Sequence, residues 1–383
     1  MNSARRTVLV AHPSSELYGS DRVLLETVSA LAEDGWDVLV TVPDDGPLLA
    51  ELVARGARVR RCIAPVVRKS ALRPRGMALF LGRAARGLVG GVRVLREERP
   101  ALLFVNTVTI PLWIGLGRLM RVPVVVHVHE GESSASPVLR RILAAPLLLA
   151  DAIVANSRFS VSVLEQSFRS LARRAEVVYN AVPGPPETHP ARERIEGDLR
   201  VTYVGRLSPR KGVDVAIDAI AELDRRGVPA RLDLVGAVFP GYEWYEAALR
   251  EQVSANDLGE RVAFRGFQPS VWDYVSDGDV VLVPSRADEP FGNTAVEAIL
   301  SGRPVIASAT SGLLEATAGY ASATTVDPGD PGSLADALLT TIEGWDDMRA
   351  HAAGDLEAAE RRHSPEVYRR RIAGIVRSRV RAS

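Results

Sequence analysis

The feature that most constrains the fold is an alternation that runs through the chain twice. In the first half, short apolar runs alternate with amphipathic segments. "RTVLVAHP" reads as a strand, "DRVLLETVSALAEDG" as a helix closing at Gly35, and "WDVLVTVP" as a second strand. "ALLFVN", "PVVVHVHE" and "DAIVANS" are three further apolar strands, each leading into a loop and a helix. Strands apolar on both faces and joined by helices make a parallel sheet covered on both sides. The alternation stops at "NAVPGPPETHPARERIEGD", which is rich in Pro, Gly and charge, and then restarts with "LRVTYVG", "ARLDLVG", "RVAFRG", "DVVLVPS" and "PVIAS" separated by helical patterns. The expectation is therefore an α/β protein of two Rossmann-like domains. The first takes residues 1–182, a linker residues 183–198 and the second domain residues 199–363, with a basic amphipathic helix "SPEVYRRRIAGIVRSRV" in 364–383. Ligands of such open sheets sit beyond the carboxyl ends of the strands, so the residues just after each strand carry the functional information. Two sheets facing each other would pool those loops in one cleft.

Composition narrows the setting. A chain of 383 residues exceeds one comfortable core, and 46% hydrophobic with 25% charged residues suits a globular protein. Cys62 is the single cysteine, which rules out an internal disulfide and fits a reducing compartment. "TVLVA" is too short for a signal peptide, and the longest apolar stretches, "PLWIGLGRLM" and "ILAAPLLLA", are broken by Arg or Pro, so no transmembrane helix is expected. The net charge of zero conceals an asymmetry. Residues 1–182 hold 24 basic and 16 acidic side chains, and residues 183–383 hold 23 and 31, so the halves carry +8 and −8.

Two stretches carry the chemistry. After the strand "RVTYVG" comes "RLSPRKG", in which Arg206 and Lys211 flank a turn of Ser208, Pro209 and Gly212. Such a turn brings two cations to one strand end, where they can clamp a diphosphate, each charge-assisted contact contributing roughly 1.5–3 kcal/mol. Only two of the 47 basic residues are lysines, Lys69 and Lys211, so Lys211 is not compositional background. After the strand "VVLVPS" comes "EPFGNTAVEA", a strand-to-helix turn with Glu289 before it and Glu297 one turn into the helix. A helix start offers free N–H groups and a positive dipole end, and Gly292 permits close approach to the backbone. Thr294 to Glu297 also matches a capping box, in which the glutamate merely satisfies an N-terminal N–H. Asp277-Gly-Asp279 has the look of a metal-binding pair but precedes a strand, and reads as a turn.

"GRLSPRKG" followed by "PSRADEPFGNTAVEA" resembles the retaining glycosyltransferases of the GT-B fold, family 4, over nearly the whole chain. The resemblance implies two Rossmann-like domains facing across a cleft, an N-terminal acceptor domain and a C-terminal nucleotide-sugar domain, with the last helix crossing back to the first domain. It gives Arg206 and Lys211 the donor diphosphate, Glu289 the transferred sugar and Glu297 the nucleotide ribose. It sets Gly292, Asn293 and Thr294 at phosphate, and the "FRGF" segment, with Gly266 and Phe267 after Arg265, at the nucleobase. In the first half, Gly19 of "SSELYGSDR" resembles the family's glycine loop, with Tyr18 where a second glycine is usual. "VVVHVHEGE" resembles the strand ending in a catalytic-site histidine, matched by His129 with Glu130, with His127 two residues back on the same face. Asn180 matches an asparagine that closes the first domain, with Ala181 in place of the usual glycine.

The implied activity is transfer of a sugar, of hexosyltransferase type and with retained anomeric configuration, from a nucleotide donor such as a UDP- or GDP-sugar to a glycan or lipid-linked acceptor, without metal or other cofactor. It places the chain in cell-envelope or exopolysaccharide synthesis. Residues 66–99 hold nine basic and two acidic side chains among apolar ones, which points to an anionic membrane surface and to a cytoplasmic protein peripheral to the inner face of the plasma membrane. Nucleic acid is not expected, since no aromatic residues interleave with the basic ones. Two alternatives stay open: a sugar-nucleotide epimerase on the same fold, and a non-catalytic partner subunit.

Overall fold

A computed structural model describes residues 6–17, 19–67, 74–131 and 136–380. The chain divides into two compact units, one of Met1–Ala181 with Pro365–Ser383 and one of Val182–Ser364. Each is built on one all-parallel sheet.

The first unit contains β1 (Thr7–Ala11), β2 (Asp37–Val42), β3 (Arg58–Arg61), β4 (Leu102–Val105), β5 (Val124–Val128), β6 (Ala152–Ala155) and β7 (Ala175–Val177), in the spatial order β3-β2-β1-β4-β5-β6-β7. Strand alternation divides its core into two layers. Val8, Val10, Val40 and Phe104 point to one side, against Leu24 and Leu31 of the helix Gly19–Glu33. Leu9, Ala11, Leu103 and Val126 point to the other, against Leu95, Trp113 and Leu147. The C-terminal helix Pro365–Arg379 completes the first layer. It buries Tyr368, Ile372 and Val376, and Tyr368 Oη lies 2.6 Å from Thr27 Oγ1 on Gly19–Glu33.

The second unit contains β8 (Leu199–Val204), β9 (Ala230–Val235), β10 (Val262–Gly266), β11 (Val280–Val283), β12 (Val305–Ser308) and β13 (Ala323–Val326), in the order β10-β9-β8-β11-β12-β13. Tyr203, Leu232 and Leu234 pack with Ile217 and Ile220 of the helix Val213–Arg225 and with Leu334 and Leu338 of Pro331–Glu343. Residues 183–198, set apart by composition as a linker, pack on this unit. Arg192 Nε donates to Asp279 Oδ1 at 2.8 Å, Trp345 Nε1 to the Arg192 carbonyl at 3.0 Å, and Arg303 to the His189 carbonyl at 2.9 Å. Asp279 is thereby occupied in structure, since its other oxygen accepts from the Arg200 N–H at 2.8 Å.

In both sheets the strand order reverses beside the first strand, between β1 and β4 and between β8 and β11. That is where open parallel sheets take their ligands. Among the described residues no helix is long and apolar enough to cross a membrane.

Candidate functional site

The second unit gathers its site at the carboxyl edge of β10, β9, β8 and β11. Two glycine contacts make this edge possible. Gly236, after β9, has φ 146°, and a Cβ there would sit 1.8 Å from the Gly205 carbonyl oxygen after β8. Gly212 has φ 66°, and a Cβ would sit 1.9 Å from the Pro284 carbonyl oxygen after β11. Between Gly205 and Gly212 runs the turn "RLSPRK". Tyr203 Oη donates to the Arg206 carbonyl at 2.8 Å, and the Arg206 guanidinium carbon lies 3.1 Å above the Phe239 ring centroid. The 3-10 turn Pro209–Lys211 then turns Lys211 toward the end of β11.

There Lys211 meets Glu289. Lys211 Nζ lies 2.9 Å from Glu289 Oε1, Arg210 Nη1 lies 3.4 Å from the same oxygen, and Ser285 Oγ donates to it at 2.9 Å. Glu289 is 6% exposed, so its charge is held by these partners and little by water. Its backbone is fixed as well, because its carbonyl accepts from Gly312 N–H at 3.0 Å. Arg210 also donates to the Asp288 carbonyl at 2.6 Å. Lys211 and Glu289, assigned separate duties by the resemblance, meet in one ion pair that also takes in Arg210 and Ser285, neither marked by a sequence motif.

The helix after Glu289 spans Asn293–Leu300, with Gly292 as its N-cap at φ 120° and no side-chain cap. The capping-box alternative fails on this register. Thr294 is already inside the helix, and its hydroxyl lies 3.5 Å from the Val204 carbonyl. Glu297 lies half-buried one turn further on. At the other side of the edge, Gly236 N–H donates to the Gly266 carbonyl at 2.8 Å, Gly266 has φ 68°, and Phe267 after it is 52% exposed. Arg265 is tied to Asp233 at 2.5 Å.

The first unit gathers polar residues at the carboxyl ends of β1, β4 and β5. His129 Nε2 lies 3.0 Å from Asn106 Oδ1, Asn106 Nδ2 lies 3.1 Å from His12 Nδ1, and His12 Nε2 lies 2.8 Å from Asp21 Oδ1. Gly19 opens the helix that carries Asp21; Tyr18 lies outside the described residues. Burial, reinforced by the neighbouring His12, brings the His129 pKa down to about 3, so this ring is neutral. His127, fully buried, packs its ring 3.9 Å from that of His129 and has no hydrogen-bond partner among the described residues. His127 therefore belongs to the sheet interior and His129 to its edge. Glu130 accepts from the Thr107 hydroxyl, from Val108 N–H at 3.4 Å and from His129 N–H at 3.1 Å, while burial raises its pKa. His12, Asp21 and Asn106 were not picked out from the sequence. The available signal was position, since His12 and Asn106 directly follow apolar strands.

Comparison with known proteins agrees with this layout. "Glycosyltransferase Family 4" matches residues 18–184 and "Glycosyl transferases group 1" matches residues 186–354. A D-inositol 3-phosphate glycosyltransferase of a Nocardioides strain is 31% identical over 252 residues, covering 59% of this chain and 55% of that protein. The alpha-D-kanosaminyltransferase of Streptomyces kanamyceticus is 27% identical over 286 residues, covering 68% of this chain and 72% of that protein. The match thus spans little more than half the length of the inositol-phosphate relative. Anabaena Alr3699/HepE, solved with UDP and glucose, superposes with a TM-score of 0.81 at 23% identity, covering 98% of this chain and 100% of that one, and so shares the GT-B fold. With its two halves matched in order by the two parts of one family, the chain belongs to the family 4 glycosyltransferases of group 1.

Proposed function

We propose that the protein is a retaining, metal-independent glycosyltransferase that moves a hexosyl group from a UDP- or GDP-sugar to a glycan or lipid-linked acceptor in cell-envelope or exopolysaccharide synthesis. The observation that carries the reading is the pairing of Lys211 and Arg210 with the buried Glu289 beside the helix start at Gly292. An arriving diphosphate draws Lys211 and Arg206 to itself, joined by the N–H groups of Asn293 and Thr294. Glu289, released from Lys211, then accepts hydrogen bonds from hydroxyls of the sugar. Glu297 holds the ribose and Gly266 and Phe267 line the base, while Gly19 and His129 are the candidate residues of the first unit. The positive charge needed by the leaving diphosphate comes from side chains and a helix start, which is the ground for metal independence. For retention, the leaving phosphate takes the acceptor's proton on the same face of the sugar, in place of the carboxylate nucleophile that a two-step route would use. The presence of UDP in the Anabaena structure puts UDP first among donors to try.

Calorimetric titration of UDP, GDP, ADP and dTDP tests the donor site. One nucleotide is expected to bind, and an Arg206→Ala/Lys211→Ala variant is expected to lose it. Absence of binding by all four would overturn the reading in favour of a non-catalytic subunit.

A further inference from the structure

Asp21, His12, Asn106 and His129 form a single chain of side-chain contacts, and each is 9% exposed or less. Three of the four stand at the ends of adjacent strands, with backbones held in place. His12 N–H donates to the Thr41 carbonyl at 3.0 Å and Asn106 N–H to the Ala11 carbonyl at 3.0 Å. His129 N–H is held by Glu130. The chain leads from a carboxylate in the helix Gly19–Glu33 to the histidine nearest the edge.

Hydrogen-bond chemistry dictates where the protons lie. A carboxylate only accepts, so the proton between Asp21 and His12 is on His12 Nε2. A neutral imidazole then has an acceptor at Nδ1, and the Asn106 amide turns its NH2 toward it. The amide oxygen thereby faces His129 Nε2, which must carry a proton to meet it. A neutral His129 is left with a lone pair on Nδ1. With the order reversed, His12 Nδ1 would donate, the amide would turn over, and His129 Nδ1 would become a donor.

We propose that Asp21 and His12 are positioning residues that act through Asn106 to hold His129 in its Nε2–H tautomer, so that Nδ1 is a hydrogen-bond acceptor for a sugar hydroxyl. The sugar hydroxyl rests on the function proposed above; the tautomer does not. The low pKa of His129 keeps the ring neutral across the ordinary pH range, and the His127 ring packed against it limits rotation.

The test is long-range proton–nitrogen NMR on the full chain labelled with 15N-histidine, the His129 signals being assigned by their loss in His129→Gln. The wild type is expected to show a protonated Nε2 and a bare Nδ1 at His129. Asp21→Asn should mix or invert the two, Asp21→Glu should restore them, and in an Asn106→Leu background Asp21→Asn should add nothing. A wild-type His129 protonated on Nδ1, or a tautomer unmoved by both Asp21→Asn and Asn106→Leu, overturns the proposal, and the wild-type spectrum alone decides if a variant fails to fold. Kinetics separate the two layers. Asp21→Asn is expected to lower kcat about tenfold with a smaller change in donor KM. A shifted tautomer with unchanged kcat and KM keeps the relay and removes the sugar role of His129.

Discussion

Lys211 and Glu289 satisfy one another at 2.9 Å, yet losing each should have different consequences. Without Lys211, Glu289 keeps Ser285 at 2.9 Å and Arg210 at 3.4 Å, so its charge stays partnered and the fold should persist. The diphosphate, by contrast, loses one of the cations drawn to it. Lys211→Ala is therefore expected to lower turnover about 10²–10³-fold and to weaken nucleotide binding, with little change in thermal midpoint. Glu289→Gln should do the reverse at the nucleotide, keeping its affinity while turnover falls, because the amide can still meet Ser285 but cannot accept with the strength of a carboxylate. Calorimetry beside steady-state kinetics checks both, and equal nucleotide affinity in the two variants would contradict the division of labour. The residue types were legible in the sequence, from the turn "RLSPRKG" and the acid before "FGNT", but their pairing was not. Contact between positions 211 and 289 depends on β8 and β11 being neighbours, a property of sheet order that local pattern does not record.

At the scale of elements, the same sheet order explains which strands could be read. The strands β4 and β11, inside their sheets and buried on both faces, appear as unbroken apolar runs. The edge strands β3, "RVRR", and β7, "AEV", carry charge, and β13, "ATTV", is short and half-buried, so none gave a signal. The capping-box alternative starts the helix two residues too late, because Gly292 can stand at the cap without a side chain and "T-x-x-E" matches by chance. Gly212 is where two elements depend on one missing Cβ. Gly212→Ala faces both a left-handed backbone, worth roughly 1–2 kcal/mol, and overlap with the Pro284 carbonyl. The turn must shift away from β11, carrying Lys211 from Glu289. Nucleotide affinity should fall at least tenfold, by calorimetry, while far-UV circular dichroism stays the same. Affinity retained in that variant would mean that the turn tolerates displacement.

For the whole molecule, two charge properties have consequences outside the site. The first is buried histidine. Burial lowers the pKa of His127, and brings those of His129 and His363 to about 3, while unfolding returns each to about 6.5. Below pH 6.5 the unfolded chain therefore binds more protons than the native one. The stability that these groups contribute is complete above that pH and is lost as pH falls toward 3, at up to about 1.4 kcal/mol per pH unit for each histidine. Urea midpoints should fall between pH 7.5 and 5.0, and His127→Phe should flatten that fall, since the ring there packs against the rings of Phe104, His129 and Tyr368. Midpoints independent of pH would contradict the neutral burial of these rings.

The second is the basic half of the chain, whose surface form bears on where the protein works. Residues 68–73 of the basic stretch lie outside the described residues, but the helix Pro74–Glu98 that follows exposes Arg83, Arg86 and Arg93 together with Leu81 and Val89. Neighbouring helices over the same face of the sheet continue the pattern, with Leu119 beside Arg118 and with Val138 and Ile142 beside Arg141. Guanidinium groups interspersed with large apolar side chains suit an anionic bilayer, where each basic group adds about 1 kcal/mol and the apolar side chains enter below the headgroups. Such binding has two separable parts. Sedimentation with vesicles of mixed neutral and anionic lipid should show the protein in the pellet, and neutral vesicles should leave it in the supernatant. Raising the salt should release most of it, because the charge contribution is screened over about 8 Å at physiological ionic strength. Val138→Ser/Ile142→Ser should weaken binding at every salt concentration, whereas Arg83→Gln/Arg86→Gln should weaken it chiefly at low salt. Equal partition between the two vesicle types would remove the membrane from the proposed function and leave a soluble glycan as the acceptor.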